Sequence, residues 1–241
     1  MTGTSTRVKR ALAAVTATGA AAAALLGGVA GASADDESPA FSDPTTSDNP
    51  YLPLSKFSRC TLRGQEDGSR QRIVRKVLDR TRTFVVDGVA VETMVVKDRV
   101  KEEGKLIEDT RDFFAQDDQG NVRYFGEQVD NIRNGHVVDH HGSWLFGRDT
   151  QVIGVLMHAD PHVGRHWKSE DAPPITVEHD RVVAKQRRVE VHGHTYRKVI
   201  DVREYALPDK EVEHKLYAKG VGVIAELPPE GEVDLVGCKR A

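Results

Sequence analysis

The pattern of apolar and polar residues from Gln71 onward is typical of β-strands rather than helices. Short runs rich in valine, isoleucine and aromatic residues recur at intervals of about ten residues, with turn residues between them and no long helical periodicity. In FVVDGVAVETMVV, Asp87-Gly88 separates two valine-rich arms. Because an Asp-Gly pair readily adopts the positive φ angles of a tight turn, this stretch predicts a β-hairpin.

The same signal predicts further hairpins along the chain. Turn residues separate strand-like arms at Glu103-Gly104, Asp117 to Gly120, Asn134-Gly135, His192-Gly193 and Gly220 to Gly222. Consecutive hairpins form an antiparallel meander, and such a sheet must curl, close or fold over to cover its apolar face. The sequence therefore predicts an all-β domain, built as a curved sheet, a sandwich or a partly open barrel.

Residues 145–175 interrupt this rhythm. An apolar segment, Val152 to Met157, is followed within a short distance by Pro161, Gly164 and the pair Pro173-Pro174. This composition predicts a long crossover loop over one end of the sheet. Since binding residues on β scaffolds usually lie on long loops, the segment is a candidate location for a site.

The first 34 residues are typical of a secretory signal peptide. A basic segment at residues 7–10 precedes an alanine-rich apolar run, and Ala32-Ser33-Ala34 has the small-x-small pattern that signal peptidase recognises. The alternative is a transmembrane anchor, because the apolar run is nearly long enough to span a bilayer. The acidic residues Asp35 and Asp36 favour cleavage after Ala34, which would leave no stable membrane anchor.

The rest of the chain divides into two parts. Residues 35–50 are polar, rich in serine, proline and aspartate, and without periodicity, so we expect a flexible leader. Residues 51–241 are long enough for a single all-β domain with one hydrophobic core. We therefore expect a signal peptide at 1–34, a leader at 35–50 and one domain at 51–241, secreted from the cell.

The charge of the chain limits the class of partner. The formal net charge is −3, and residues 1–34 carry three basic and no acidic residues, so cleavage would give −3 − 3 = −6. An acidic protein is a poor match for a polyanion as its main partner, so we expect no nucleic acid partner. The expected partner is an unknown extracellular ligand.

The chain has two cysteines, Cys60 and Cys238, near opposite ends of the predicted domain. In an exported protein an even pair usually forms a disulfide, whereas a zinc site would call for the missing C-x2-C spacing. A meander that curls on itself brings its first and last strands together. We therefore predict a Cys60–Cys238 disulfide between those strands.

The segment HVVDHHGSW at residues 136–144 suggests a metal site. If it continues as a strand after the preceding turn, His140 and His141 point to opposite faces. His136 and His140 share a face but lie about 13 Å apart at ~3.3 Å per residue, whereas zinc needs its nitrogen ligands within ~2.1 Å. We therefore expect no metal site from this segment alone.

A second group, His158, His162 and His166, is spaced by four residues. That spacing would align the three side chains on a helix, but Pro161 and Gly164 disfavour a helix there. An irregular loop could still bring the imidazoles together. We expect solvated or hydrogen-bonded loop histidines, and we keep a metal-assisted hydrolase that uses these three residues as an alternative.

No catalytic motif is present in the sequence. The G-x-S-x-G turn of serine hydrolases is absent, and Ser143 has histidines nearby only in sequence. Glu108, Thr110 and Asp112 would share one strand face, where they could perform acid–base chemistry if that face lined a cavity. A solvated outer face is the expectation for them. We assign no catalytic residue, no metal ligand and no cofactor.

Several segments together resemble a known family. EDTRDFFAQDDQGNVRYFGE at residues 108–127 and EHKLYAKGVGVIAE at 213–226, with NPYLPL at 49–54 and NGHVVDHHGSW at 134–144, resemble a family of uncharacterised secreted proteins common in actinomycetes. The D-x-x-G-N-V-x-Y-F-G and Y-A-x-G-V-G motifs are the most specific part. The resemblance implies export and an all-β fold, and it implies no reaction.

The chain departs from that family pattern in two places. CTLRG at residues 60–64 stands where relatives tend to have W-x-Y-x-G, and Phe113-Phe114 stands where they tend to have a tyrosine or tryptophan pair. The first departure places Cys60 at an expected core-facing aromatic position. The resemblance therefore supports the pairing of Cys60 with Cys238.

These observations lead to one functional prediction and two alternatives. We expect a secreted, non-catalytic protein that binds a ligand in, or across the mouth of, its curved sheet. The ligand would be a small apolar molecule or an extracellular or cell-surface polymer. The alternatives are the metal-assisted hydrolase and a protein-binding module, such as an inhibitor that presents a loop to an extracellular protease.

Overall fold

Two-residue turns connect many of the neighbouring strands in the computed structural model, which describes residues 38–208 and 210–241. Asp87, Glu103, Asn134 and His192 have φ angles of 49°, 47°, 54° and 46°, and the glycine after each also has a positive φ. Two successive positive φ angles define the hairpin turn whose twist matches that of the strands. The hairpins predicted at these four positions are confirmed. A further turn of this kind, at Asp67, joins the first two strands.

The described residues are almost entirely β-structure, which confirms the predicted fold class. A short 3-10 turn at Leu54–Lys56 precedes the strands. The strands are β1 (Phe57–Glu66), β2 (Ser69–Val86), β3 (Val89–Glu102), β4 (Lys105–Gln116), β5 (Val122–Arg133), β6 (His136–Asp139), β7 (Trp144–Leu145), β8 (Gly154–Met157), β9 (His166–Ala172), β10 (Thr176–Val191), β11 (His194–Leu207), β12 (Glu211–Ala218), β13 (Gly222–Leu227) and β14 (Gly231–Arg240).

The strands form one antiparallel sheet in the order β6-β5-β4-β3-β2-β1-β14-β13-β12-β11-β10-β9, with β7 and β8 paired to β5. The segment predicted as a crossover, 145–175, contains β8 and β9 and connects the two ends of this sheet. At Gly154 of β8 an added Cβ would lie 1.9 Å from the carbonyl oxygen of Ser169 in β9. The sheet therefore curves until its ends are in contact, without closing into a barrel.

The first and last strands are neighbours, and a disulfide links them. Cys60 in β1 lies directly opposite Cys238 in β14, and their sulfur atoms are bonded. Their Cα atoms are 4.0 Å apart, closer than the usual ~4.4–6.8 Å for bridged cysteines, because directly opposed residues of an antiparallel pair already lie near each other. The predicted disulfide is confirmed.

Apolar side chains pack on both faces of the sheet. The main core fills the concave inner face and includes Leu62, Ile73 and Val96. A second cluster lies on the outer side, where Phe84 near the tip of the β2–β3 hairpin contacts the rings of Phe113 and Phe125 at 5.7 and 5.2 Å. A register shift in β2 between residues 77 and 81 bends this long hairpin, since extra residues in one strand increase its curvature.

The described part of the predicted leader, residues 38–50, differs from the expected flexible segment. Asn49 is only 1 % exposed, and its side-chain amide donates to the carbonyl oxygens of Gly120 and His158 at 2.8 and 3.1 Å. Its side-chain oxygen accepts hydrogen bonds from the backbone N–H groups of Tyr51 and Leu52. Polar side chains, together with Phe41, whose ring lies 5.7 Å from that of Phe125, hold this segment against the sheet, which composition alone did not indicate.

The predicted signal peptide, residues 1–34 with cleavage after Ala34, lies outside the described residues. Within residues 38–208 and 210–241, no helix has the length and apolar character needed to cross a membrane.

Candidate functional site

One histidine of the 136–144 segment, His140, is held by a local hydrogen bond of its imidazole. The strand that begins at His136 ends at Asp139, so His140 and His141 lie just beyond it. The Nδ1 atom of His140 is 2.9 Å from the carbonyl oxygen of Val129. The strand alternation predicted for the two adjacent histidines therefore does not extend to them, because the chain turns before it reaches them.

The second histidine group is spread over different environments. His158 is buried, with Nδ1 3.2 Å from the side-chain oxygen of Asn121 and its ring edge-on to Trp167. His162 and His166 are exposed. In the part of the chain that the structure describes, no group of three or more His, Cys, Asp or Glu side chains is arranged to hold a metal ion. The metal-assisted hydrolase therefore gains no support from these residues.

Ser143 also has a structural role. Its hydroxyl oxygen accepts a hydrogen bond from the backbone N–H of Val129 at 2.8 Å, which joins the 140–143 turn to β5. A serine nucleophile needs a base that takes its proton, whereas the Ser143 hydroxyl bonds to the backbone of Val129.

Glu108, Thr110 and Asp112 of β4 were expected on a solvated outer face, but their side chains point to the inner face of the sheet. Thr110 is 3 % and Asp112 is 9 % exposed. The Thr110 hydroxyl donates to Glu108, and the Tyr124 hydroxyl donates to Asp112 at 2.8 Å. The expectation was wrong because alternation shows which residues share a face, but not which of the two faces is buried.

Polar side chains from many strands line the inner face of the sheet at a similar level, and we call them the polar belt. Neighbouring members are linked by strand register, hydrogen bonds or ion pairs. The polar belt consists of Arg75, Asp98, Asp112, Tyr124, Ser169, Glu178, Asp180, Glu204, Lys215 and Glu226.

One cation of the polar belt is Arg75. Its guanidinium contacts Asp98 through two nitrogens at 2.9 and 2.6 Å, and it lies 3.6 Å from Glu226. Burial disfavours the charged guanidinium, but the two carboxylates outweigh this effect and hold the pKa of Arg75 above its usual value. A buried arginine with two carboxylate partners is fully ionised and fixed in orientation.

Two carboxyl groups of the polar belt, Asp112 and Glu204, bind protons more tightly than usual. Burial, together with the nearby Asp98, raises the pKa of Asp112 to about 8, although Tyr124 and Arg75 oppose the shift. Burial also raises the pKa of Glu204 to about 8, although the Lys215 ammonium lies 2.5 Å away. These groups therefore hold protons inside the sheet near neutral pH.

The inner face also contains polar atoms whose hydrogen bonds are incomplete. In residues 38–208 and 210–241, the indole nitrogens of Trp144 and Trp167 and one carboxyl oxygen of Asp180 are buried without a hydrogen-bond partner. Burial and the neighbouring Glu204 and Glu178 raise the pKa of Asp180 well above its usual value. A protonated Asp180 avoids a buried negative charge beside Glu204 and Glu178.

One concavity lies beside the segment that leads into β1, next to the turn between β12 and β13. A groove of about 400 Å³, which we call the mouth groove, is lined by Ser47, Asp48, Asn49, Pro50, Pro53, Ser55, Lys56, Lys219 and Gly220. The Lys56 ammonium donates to the carbonyl oxygen of Gly220, which joins the two sides of the groove. Lys219 is exposed.

A smaller apolar pocket, the mouth pocket, adjoins this groove. It measures about 40 Å³ and is lined by Leu52, Pro53, Leu54, Phe57, Cys60, Leu62, Arg75, Val77, Val221, Gly222 and Val223. Pro53 lines both cavities. The mouth pocket therefore leads from the groove to the inner face, where Arg75 of the polar belt forms part of its wall.

The mouth groove was not predictable from the sequence. Its two lysines are 163 residues apart in the numbering (219 − 56), and the turn at Gly220 and the segment before β1 bring them together. The nearest signal was the pair Pro50 and Pro53, which breaks regular structure ahead of the first strand.

A comparison with known proteins adds nothing further: no protein family, curated protein or solved structure matches this chain.

Proposed function

We propose that the protein is a non-catalytic extracellular binding protein that takes a small amphipathic molecule with an anionic head across the mouth of its curved sheet. The mouth groove carries this proposal. Its volume of about 400 Å³ lies in the range usual for small-molecule sites, ~300–1,000 Å³. The adjoining mouth pocket offers apolar walls to the end of a hydrocarbon chain.

The charges at the groove favour an anionic head. Lys56 and Lys219 line the mouth groove, and Asp48 is the acidic residue among its lining side chains. The Lys56 ammonium keeps one donor on Gly220 and therefore has a fixed position, whereas the exposed Lys219 is free to approach a ligand. A carboxylate or phosphate between two ammonium groups is a common mode of anion binding.

The compartment belongs to the same proposal. The Cys60–Cys238 disulfide is of the kind that persists in oxidising surroundings outside the cytoplasm. The signal-like sequence of residues 1–34 supports export in the same direction. Non-catalytic binding is supported by the histidines and Ser143, which are engaged in local structural contacts or scattered over the surface.

The test uses decanoate and decanol, two probes with the same chain and different heads, measured by calorimetry. Decanoate should bind and decanol should bind at least several-fold more weakly. Lys219→Glu should weaken decanoate binding about tenfold, which corresponds to ~1.4 kcal/mol, without changing stability. The matched control is Lys105→Glu, an exposed lysine in the β3–β4 hairpin.

Val221→Trp fills the mouth pocket and should reduce the binding of both probes. Equal affinity for decanoate and decanol would contradict the anionic head. Unchanged decanoate binding in both Lys219→Glu and Val221→Trp would contradict the mouth groove and mouth pocket as the binding site. No binding of either probe would overturn the proposal.

A further inference from the structure

A row of basic residues crosses the outer face of the sheet from strand to strand. Arg59 in β1 lies directly opposite Lys76 in β2, and Lys76 lies directly opposite Lys97 in β3. The row continues to Lys239 in β14 on one side and to Arg111 in β4 on the other. We call these five residues the cation ladder.

The cation ladder faces away from the core. Neighbouring residues of a strand point to opposite faces, and the neighbours of Arg59, Lys76 and Lys97 include the inward-facing Cys60, Arg75 and Asp98. Arg59, Lys76 and Lys239 are exposed, and the other two members are half-buried. With strands ~4.8 Å apart, the five positions span about 19 Å perpendicular to the strands.

A second row runs parallel to the ladder. Arg63 in β1 lies opposite Arg72 in β2, and Arg72 lies opposite Lys101 in β3. This row lies four residues along β1 from the ladder, about 13 Å at ~3.3 Å per residue. Together the two rows make one basic outer face on a chain whose formal net charge is −3.

Acidic side chains contact one end of the cation ladder. Lys97 contacts Asp109 at 2.9 Å, and Arg111 lies 3.5 Å from Asp130. In the second row, Asp234 of β14 lies directly opposite Arg63. Within residues 38–208 and 210–241, Arg59, Lys76 and Lys239 have no ion pair. The β14–β1–β2 part of the cation ladder therefore carries free positive charge.

Like charges directly opposite each other destabilise a sheet. Arg59 has a basic residue opposite it on both sides, Lys239 and Lys76, so the folded sheet brings these charges together at a cost in stability. A bound polyanion would remove that repulsion. The residues between the two rows include Thr61, Val74 and Arg99, none of which offers the aromatic surface on which single-stranded nucleic acids stack.

We propose that the cation ladder and the second row bind a linear acidic polysaccharide that lies across the strands of the outer face. The ladder spacing of ~4.8 Å is close to the length of one sugar unit in an extended polysaccharide, so a chain that lies across the strands can bring several of its carboxylates to the basic residues. Exposed arginines and lysines hold such groups by charge-assisted hydrogen bonds. This surface is separate from the mouth groove and does not depend on the small-molecule proposal.

The test measures binding of the protein to polygalacturonate and to its fully methyl-esterified form, which has the same backbone without charge. Polygalacturonate should bind, the ester should not, and affinity should fall at least tenfold between about 0.1 M and about 1 M salt, where screening shortens the range of exposed charges. The double variants Arg59→Ser/Lys76→Ser and Arg63→Ser/Arg72→Ser should each lose at least tenfold in affinity.

The matched control is Lys105→Ser/Lys185→Ser, which removes two exposed lysines elsewhere on the molecule and should leave affinity unchanged. Melting temperatures of all variants show whether a loss reflects unfolding, and the ladder variants should be at least as stable as the parent because repulsion is removed. Equal losses in the control, binding of the ester, or no binding of polygalacturonate would overturn the proposal. Tighter binding of single-stranded DNA through the same residues would contradict the polysaccharide assignment.

Discussion

Removal of the Cys60–Cys238 disulfide tests how the middle of the curved sheet is held together. The bond closes a loop with a sequence separation of 178 residues. In the loop-entropy treatment, a cross-link of this span restricts the unfolded chain enough to contribute roughly 5 kcal/mol to the free energy of unfolding. For a domain of this size, that corresponds to a fall of about 10–20 °C in melting temperature on reduction.

The structure indicates where this effect arises. Arg59 and Thr61 pair with Lys239 and Gly237 on either side of the disulfide, so β1 and β14 keep their register without it. The loss of stability should therefore arise in the unfolded chain, which gains conformational entropy and expands once the cross-link is removed. Because the denaturant dependence follows the surface exposed on unfolding, the m-value should rise together with the loss of stability.

The assay is urea unfolding of the Cys60→Ala/Cys238→Ala protein and the parent, followed by tryptophan fluorescence. Trp144 and Trp167 are 0 % and 8 % exposed, so both report on the core. The reduced parent serves as the control for the two sulfur atoms lost in the variant. A change below ~1 kcal/mol with an unchanged m-value would refute the argument that the disulfide acts by restricting the unfolded chain.

Two further predictions concern the interior and the contact between the sheet ends. Burial raises the pKa of Asp112 in the folded protein to about 8 from its usual value of 3.8, so the folded protein binds more protons than the unfolded chain between these two values. The free energy of unfolding should therefore fall as pH rises from about 4 to 8. Asp112→Asn should flatten this slope in thermal melts at successive pH values, and an unchanged slope would contradict the assignment. Gly154→Ala should lower the free energy of unfolding by ~1–3 kcal/mol or more, because its Cβ would lie 1.9 Å from the Ser169 carbonyl oxygen. Gly237→Ala, which meets nothing within 4 Å, is the control, and equal effects of the two substitutions would argue against contact between β8 and β9.

The hairpins were predictable because their signals are local. Asp87-Gly88 and Asn134-Gly135 need positive φ angles at two successive positions, and few dipeptides accept them. The pairing of Cys60 with Cys238 was also predictable, because two cysteines allow only one intramolecular bond. These inferences depend on residue types rather than on the final curvature of the sheet.

The candidate sites were not predictable because they depend on which strands become neighbours and which face is buried. The alternation of residues around Asp112 is the same whether its face of β4 is buried or exposed. Only the packing of β4 against β5 determines which face is buried. Arg59, Lys76 and Lys239 form a row only once the register of β1 with β2 and β14 is fixed. Asn49 stood in a segment whose composition suggested disorder.

The pairing of β1 with β14 places the first and last strands next to each other, with Phe57 opposite Arg240 in the middle of the sheet. A linker from the end of β14 to the segment at residues 38–50, which packs against the same sheet, could therefore close the chain. New termini could then be opened at an exposed turn such as Asp87-Gly88 without breaking the order of strands. A domain with this arrangement should accept circular permutation.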